Sequence, residues 1–284
     1  EIGRHCGATA LTFNMHTCSM MWIGSLSDEL EMSDTERSRH EERRQEHYRQ
    51  VVERGAIFAQ PFSEGGAGSV TVGRPYGTTV RKVDGGWVMN GRKVFASLSG
   101  AADYYGILCT EDRGPDTPSS FRDTQYIAVP ADAEGLEVTG DWDPLGMRGT
   151  VSRTLVMKDV FLDDANEMMP TGIYYQAVTQ WPHMFFTLSP TYMGIAEAAF
   201  DFTVKYLRGE VAGMVQSKRR AIPAKQMAVA EMFIRLEQMR SLFRATIAAA
   251  KVKPTKAERL QAYAAQYTIM EGCNELCARA IRTC

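Results

Sequence analysis

Phe62-Ser63-Glu64-Gly65-Gly66-Ala67-Gly68-Ser69 and Asn90-Gly91-Arg92-Lys93-Val94-Phe95-Ala96-Ser97 are the two runs that decide how this chain is read. The first places Gly65, Gly66, Ala67 and Gly68 between the hydroxyls of Ser63 and Ser69. Without Cβ atoms, glycine lets backbone N–H groups approach a phosphate or a ring edge closely. The second run opens on Asn-Gly, which predicts a turn, and continues as a strand with Phe95 and Ser97 two residues apart. Side chains alternate across a strand, so the spacing predicts a ring and a hydroxyl on one face. Such a face suits a planar heterocycle. Each run alone is a common kind of turn; their order and spacing are more specific.

Composition narrows the class. The 284 residues are 44% hydrophobic and 23% charged, with a formal net charge of −2. That balance gives no electrostatic case for nucleic acid or an anionic membrane as partner. Cys6, Cys18, Cys109, Cys273, Cys277 and Cys284 show no paired C-x-x-C spacing and no accompanying His cluster. They predict reduced thiols in an intracellular protein, with neither a disulfide frame nor a metal site. No apolar stretch reaches the ~18 residues of a membrane span, and no signal peptide opens the chain, so the expected location is the cytoplasm. A start at Glu1 and an end at Cys284 inside an amphipathic pattern predict a piece of a longer chain.

Along the chain, residues 1–26 space Ala8, Leu11, Met15, Cys18, Met21 and Trp22 as a buried helix, with His5 and His16 as ordinary core or boundary histidines. Ser33-Asp34-Thr35-Glu36 is a capping box, and the charged run from Glu41 to Arg44 predicts a solvated helix face. Residues 56–165 read as β: 78–83, 87–90, 126–129, 136–139 and 154–160 are short strands, and 111–123 is a loop. Regular short strands predict an antiparallel barrel or sandwich. From about Thr171 the period is helical. Val229, Met232, Phe233, Leu236, Phe243 and Ile247 form one expected apolar stripe. Tyr267, Met270, Asn274, Cys277 and Ile281 form another on a helix capped by Thr255 and Glu258. The expected class is α+β, with N-terminal helices (1–55), a β-domain (56–165) and a C-terminal antiparallel helix bundle (166–284).

The two runs resemble the middle domain of the acyl-CoA dehydrogenase superfamily, with its T/S-E-P-x-A-G-S and N-G-x-K-x-W/F-I-T/S segments. Leu145-Gly146-Met147-Arg148-Gly149-Thr150-Val151-Ser152-Arg153-Thr154 is similar to the family's L-G-x-R-x-S/T-x-S/T strand, and Asp159-Val160 to the Asp-Val that closes its sheet. The resemblance implies that FAD is bound by Phe62, Ser63, Gly68, Ser69, Phe95 and Ser97. Phe62 and Ser63 would border the pyrimidine edge, and Ser69 would meet the pyrophosphate or the acyl thioester of the substrate. Phe95 would lie against the isoalloxazine in place of the common Trp, and Ser97 would donate near the hydride-accepting nitrogen.

Dehydrogenation of an acyl-CoA requires a carboxylate to take the α-proton while hydride leaves the β-carbon. One of the family's two positions for this glutamate corresponds to about Met184, beside His183, where no Glu stands; the other would lie beyond Cys284. No catalytic base is visible. In place of the family's R-x-x-F-G run the chain reads Gly209-Glu210-Val211-Ala212-Gly213, followed by Lys218-Arg219-Arg220, which suits either phosphates or a solvated turn. Gly65 stands where the family has Pro. The resemblance therefore implies α,β-dehydrogenation of an acyl-CoA, with electron-transfer flavoprotein or oxygen as acceptor and a homodimer or homotetramer as assembly. A flavin-dependent monooxygenase or oxidase, which needs no carboxylate base, and a non-catalytic acyl-CoA or flavin scaffold are the alternatives.

Overall fold

The β-rich half becomes a sheet because its apolar runs are short, rich in Val, Ile and Tyr, and separated by Gly-bearing turns. The computed structural model describes residues 1–65, 74–214 and 219–284, so Gly68, Ser69 and Lys218 lie outside the described residues. Packing divides the chain into two compact units, Thr12–Gln180 and the pair Glu1–Leu11 with Trp181–Cys284. This grouping differs from the three consecutive segments expected, because the helical residues from Thr12 onward pack with the sheet.

In the first unit, strands β1 (Phe58–Ala59), β2 (Thr79–Val83), β3 (Gly86–Ala96), β4 (Tyr104–Glu111), β5 (Thr124–Pro130), β6 (Leu136–Thr139), β7 (Arg153–Asp163) and β8 (Glu167–Met169) form one sheet. Its order is β6-β7-β3-β2-β4-β5-β8, with β1 paired to β4. The sheet is mixed rather than wholly antiparallel, since β1 and β2 both run parallel to β4. Strand β3 pairs with β7 along its length and with β2 over residues 86–90, and β4 lies on the other side of β2, parallel to it. Strand β4, absent from the expected set, is buried on both faces and shows no alternation. Val80, Met89, Ile107, Ile127, Val129, Leu155 and Leu162 close the core.

Asn90-Gly91 is not a hairpin turn. The reversal between β2 and β3 occurs at Asp84-Gly85, with Val83 paired to Gly86 and Gly85 at φ 72°. Asn90 and Gly91 lie inside β3, where the register against β7 shifts between Met89 and Gly91. The Asn90 amide donates to Asp159 Oδ1 at 3.0 Å and its oxygen accepts from Asp159 N at 2.9 Å. Gly91 sits at φ 151°, and a Cβ there would meet Thr78 Cα at 2.6 Å.

Helix α1 (Ile2–His5) is followed by α2 (Gly7–Met21), which runs into a π-helical turn at Trp22–Leu26, and Ser33 caps α3 (Asp34–Arg54) through the expected box with Glu36. The charged helix α3 keeps a solvated face, with Ser38, Arg39, Glu42, Gln45 and Arg49 exposed, while its opposite side is covered. His40 and His47 are buried, Arg43 pairs with Glu167, and Arg44 binds Asp28 at 2.6 Å and Glu41 at 2.6 Å. Val52, an apolar residue of this helix, is 82% exposed. On the covered side, the Ile23 carbonyl freed by the π turn accepts from His40 Nε2 at 3.0 Å. Helix α4 (Ile173–Gln180) completes this unit.

In the second unit, α5 (Ser189–Arg208), α6 (Pro223–Ala248) and α7 (Lys256–Thr283) pack around Met193, Ala196, Met232, Leu236, Met239, Ile269, Cys273 and Leu276. The expected stripe on α7 does not form the seam. Tyr267 is 71% and Ile281 80% exposed, whereas Ala262, Ala265, Gly272 and Ala280 are buried. Small residues let the helices approach: a Cβ at Gly272 would stand 2.6 Å from Met239 Sδ. On α6, Phe233 and Ile247 are likewise exposed. Among the described residues no helix is long and apolar enough to cross a membrane.

Two outcomes follow from these contacts. Gly91→Ala is expected to lower unfolding free energy by about 2 kcal/mol or more in denaturant titrations, because backbone at Thr78 must yield. Burial pushes His40 down to about 4, with Arg37 and Arg44 opposing and Glu41 favouring its protonation. The neutral form is favoured in the folded state, so its stabilisation is complete above the unfolded value of 6.5 and is lost as pH falls toward 4. The loss amounts to about 3 kcal/mol, and His40→Gln is expected to flatten the stability–pH curve across that window.

Candidate functional site

The run Phe62–Gly65 follows β1 without regular structure, so aromatic stacking and hydrogen bonds hold it in place. Phe62 stacks on Trp22 with centroids 5.3 Å apart and meets Tyr126 and Tyr174 edge-on. The Ser63 carbonyl accepts from Val94 N at 2.7 Å, which lays this run along β3. Ser63 itself is half-buried.

At the end of β3 the strand period fails. Pairing with β7 shifts between Lys93 and Ala96, and Phe95 adopts φ 56°. Phe95 and Ser97 therefore do not share a face as a regular strand would require: Phe95 is 60% exposed while Ser97 is buried. Phe95 meets Trp142 edge-on at 6.0 Å, and Trp142 is held by a 3.1 Å bond from its Nε1 to the Met147 carbonyl. Left-handed backbone recurs at Leu98 (φ 66°), Met147 (57°) and Val151 (44°). For Val151 this is costly, since a β-branched side chain crowds its own backbone there. Bonds from Leu98 N to Thr150 O (2.8 Å) and Ser99 N to Val151 O (3.2 Å) hold the two strained segments together.

Between those segments lies a chain of three hydroxyls. Thr150 Oγ1 donates to the Met147 carbonyl at 2.9 Å and lies 2.7 Å from Ser152 Oγ, which lies 2.8 Å from Ser97 Oγ. Each hydroxyl has one proton. With the Thr150 proton committed to Met147, Ser152 donates to Thr150 and Ser97 donates to Ser152. Ser97 is then left with lone pairs, an acceptor in this arrangement rather than the donor that the resemblance implies.

Beneath the surface, Lys93 has no solvent exposure and its Nζ binds Glu64 Oε1 at 2.6 Å. Glu64 also accepts from Gly77 N at 2.6 Å and Thr78 N at 2.8 Å. Burial raises the Glu64 carboxyl, but the Lys93 charge and the hydrogen bonds from Lys93 and Thr78 outweigh it and hold the group below its ordinary value. Burial lowers the Lys93 ammonium, with Glu64 opposing. The Tyr76 ring lies 4.5 Å from the ammonium, and burial pushes its phenol up to about 12. Reading from sequence picks out neither Glu64 nor Lys93, although opposite charges standing one in each diagnostic run are a signal. Thr150 and Ser152 stand in the third run quoted from the sequence, whereas Trp142 is reached only through the fold.

In the helical unit, Arg219 lies over the Tyr206 ring at 4.9 Å, and Arg220 lines a cavity of about 560 Å³ with Arg208, Lys225, Phe200 and Phe233. His183 and Met184 are buried. Among the described residues no group of three or more His, Cys, Asp or Glu could hold a metal ion.

Residues 59–160 match the acyl-CoA dehydrogenase middle domain. The chain is 30% identical over 188 residues to the putative acyl-CoA dehydrogenase YdbM of Bacillus subtilis (strain 168), covering 65% of this chain and 46% of that protein. It is 34% identical over 146 residues to L-evernosamine nitrososynthase of Micromonospora sp., covering 49% of this chain and 33% of that protein. The chain spans about half the length of the curated relatives it matches. FMN-bound TdsC from Paenibacillus sp. A11-2 superposes with a TM-score of 0.80 at 21% identity, over 99% of this chain and 71% of that one. Butyryl-CoA dehydrogenase from Megasphaera elsdenii gives 0.75 at 18%, over 100% and 69%. Residues 59–160 are thus an acyl-CoA dehydrogenase middle domain, and the chain has the fold of that family.

Ser152→Ala is expected to cost about 1–3 kcal/mol in chemical denaturation, since it removes the acceptor of the buried Ser97 hydroxyl. Ser152→Thr, which keeps the hydroxyl, is expected to cost less.

Proposed function

We propose that this chain is the cofactor-holding part of a flavin-dependent oxidoreductase, with Phe62, Ser63, Phe95 and Ser97 around the ring system. Phe95 carries the reading: left-handed backbone holds a large aromatic side chain out at a strand end, against the edge of Trp142 and two residues from the buried Ser97 hydroxyl. A flat heteroaromatic ring covers such an exposed aromatic pair by offset stacking or edge contact. These residues fit a flavin. Gly68 and Ser69 join the proposal on the family pattern alone. Bound flavin would supply a two-electron acceptor, while the chain's own residues fix its plane and exclude water from one face.

The match to acyl-CoA dehydrogenases supports α,β-dehydrogenation of an acyl-CoA thioester as the reaction, with FAD as the family's usual flavin. Electron-transfer flavoprotein or oxygen is the acceptor this would imply, and a homodimer or homotetramer the assembly. A second reading, flavin-dependent oxygenation, is favoured by the segment 182–188, Pro-His-Met-Phe-Phe-Thr-Leu, which carries no carboxylate. It also draws on the likeness to L-evernosamine nitrososynthase and on the FMN in the TdsC structure.

The test is anaerobic addition of acyl-CoA thioesters of graded chain length to the flavin-loaded protein, followed by flavin absorbance. Bleaching by one chain class supports dehydrogenation. No bleaching, with oxygenated product formed after chemical reduction and admission of oxygen, supports the second reading. Failure to take up either FMN or FAD overturns both. Phe95→Ala is expected to weaken flavin binding by about tenfold with little change in melting temperature, because an exposed ring contributes little to the core.

A further inference from the structure

Lys93 and Glu64 are charged groups that face the protein interior. Phe95, two residues along β3, is exposed, whereas Lys93 has no accessible surface, so Lys93 acts on the site only through what it holds. Its Nζ donates to Glu64 Oε1 at 2.6 Å and reaches the Phe62 carbonyl at 3.5 Å. The next residue, Val94, donates its N–H to the Ser63 carbonyl at 2.7 Å. Three consecutive residues, Phe62, Ser63 and Glu64, are thus tied to Lys93 and Val94. Glu64 extends the tie by accepting from Gly77 and Thr78, which lie beyond the Gly-rich run and lead into β2. Trp22 stacks on the Phe62 ring.

We propose that Lys93 is a positioning residue for the cofactor: paired with Glu64, it locks the Phe62–Glu64 run against β3 and sets the spacing between Ser63 and Phe95. The inference rests on the flavin reading given above. Backbone bonds alone provide one link, Val94 to Ser63, at the point where β3 is losing its ladder to β7. A buried ion pair adds a link that solvent cannot exchange, and its many hydrogen-bonded partners leave one arrangement satisfied. A preformed loop spares the ligand the entropy of ordering it.

Simple folding support would also explain a buried pair, and paired replacement separates the two roles. Lys93→Met strands the Glu64 charge and is expected to destabilise the fold. Adding Glu64→Gln removes that charge, so the double variant recovers most of the stability lost by the single one. Folding support alone returns flavin binding with stability. The positioning role instead keeps the Kd for FMN or FAD, from fluorescence titration, at least about tenfold above wild type in the recovered double variant. Without flavin, the Val94 amide is expected to exchange hydrogen at least about tenfold faster in that variant. Lys93→Arg, which keeps the charge and donors, is expected to fall between. Wild-type Kd values in a stable double variant, or unchanged Val94 exchange, overturn the proposal. A wild-type chain that takes up neither flavin overturns the cofactor reading, and Val94 exchange still decides whether the clamp exists.

Discussion

An ammonium without solvent contact is a costly thing to place in a strand, and Lys93 is tolerable only because Glu64, the Phe62 carbonyl and the Tyr76 ring surround it. That requirement propagates outward. Glu64 must stay within reach of both Lys93 and the amides of Gly77 and Thr78, which brings together the two ends of the segment carrying the Gly-rich run. Phe62 is drawn in beside it and meets Trp22, Tyr126 and Tyr174. The Trp22 position depends in turn on the π turn at Trp22–Leu26, whose freed carbonyls are met by His40 and Arg44. The buried pair is thus linked through Phe62 and Trp22 to a loop, a strand and two helices of this unit.

Backbone strain is concentrated at the other side of the site. Phe95, Leu98, Met147 and Val151 all sit in the left-handed region without being glycine. Each costs of order 1 kcal/mol or more, and the cost persists only where the surroundings over-determine it. Here the surroundings are the two backbone bonds linking 98–99 to 150–151 and the hydroxyl chain from Thr150 to Ser97. The result is a surface that regular β-structure does not make: an aromatic ring turned outward, with a buried hydroxyl two residues away turned inward.

Helix packing follows a different rule. In α7 the seam is built from Ala262, Ala265, Ile269, Gly272, Cys273, Leu276 and Ala280, while bulkier Tyr267 and Ile281 face solvent. Close approach favours small residues, as the Met239–Gly272 contact illustrates. Reading large apolar residues as the core face therefore selects the wrong side. Helix α3 shows the converse, since Arg43, Arg44, His40 and His47 are covered because each finds a carboxylate or carbonyl partner.

By itself the sequence determined the class α+β, the sites of the capping boxes at Ser33 and Thr255, the strands around 79–83, 124–130, 136–139 and 153–163, and the two runs that meet at the candidate site. Those features are local: caps, turns and short-range periodicity act within a few residues. Tertiary structure alone decided that Asn90-Gly91 is a bulge, because the twin bonds to Asp159 come from a strand nearly seventy residues away. It alone turned Phe95 out and Ser97 in, chose the small-residue face of α7, and paired Lys93 with Glu64. Each of these outcomes depends on a partner distant in sequence, and a chain read one residue at a time does not contain the distance between partners.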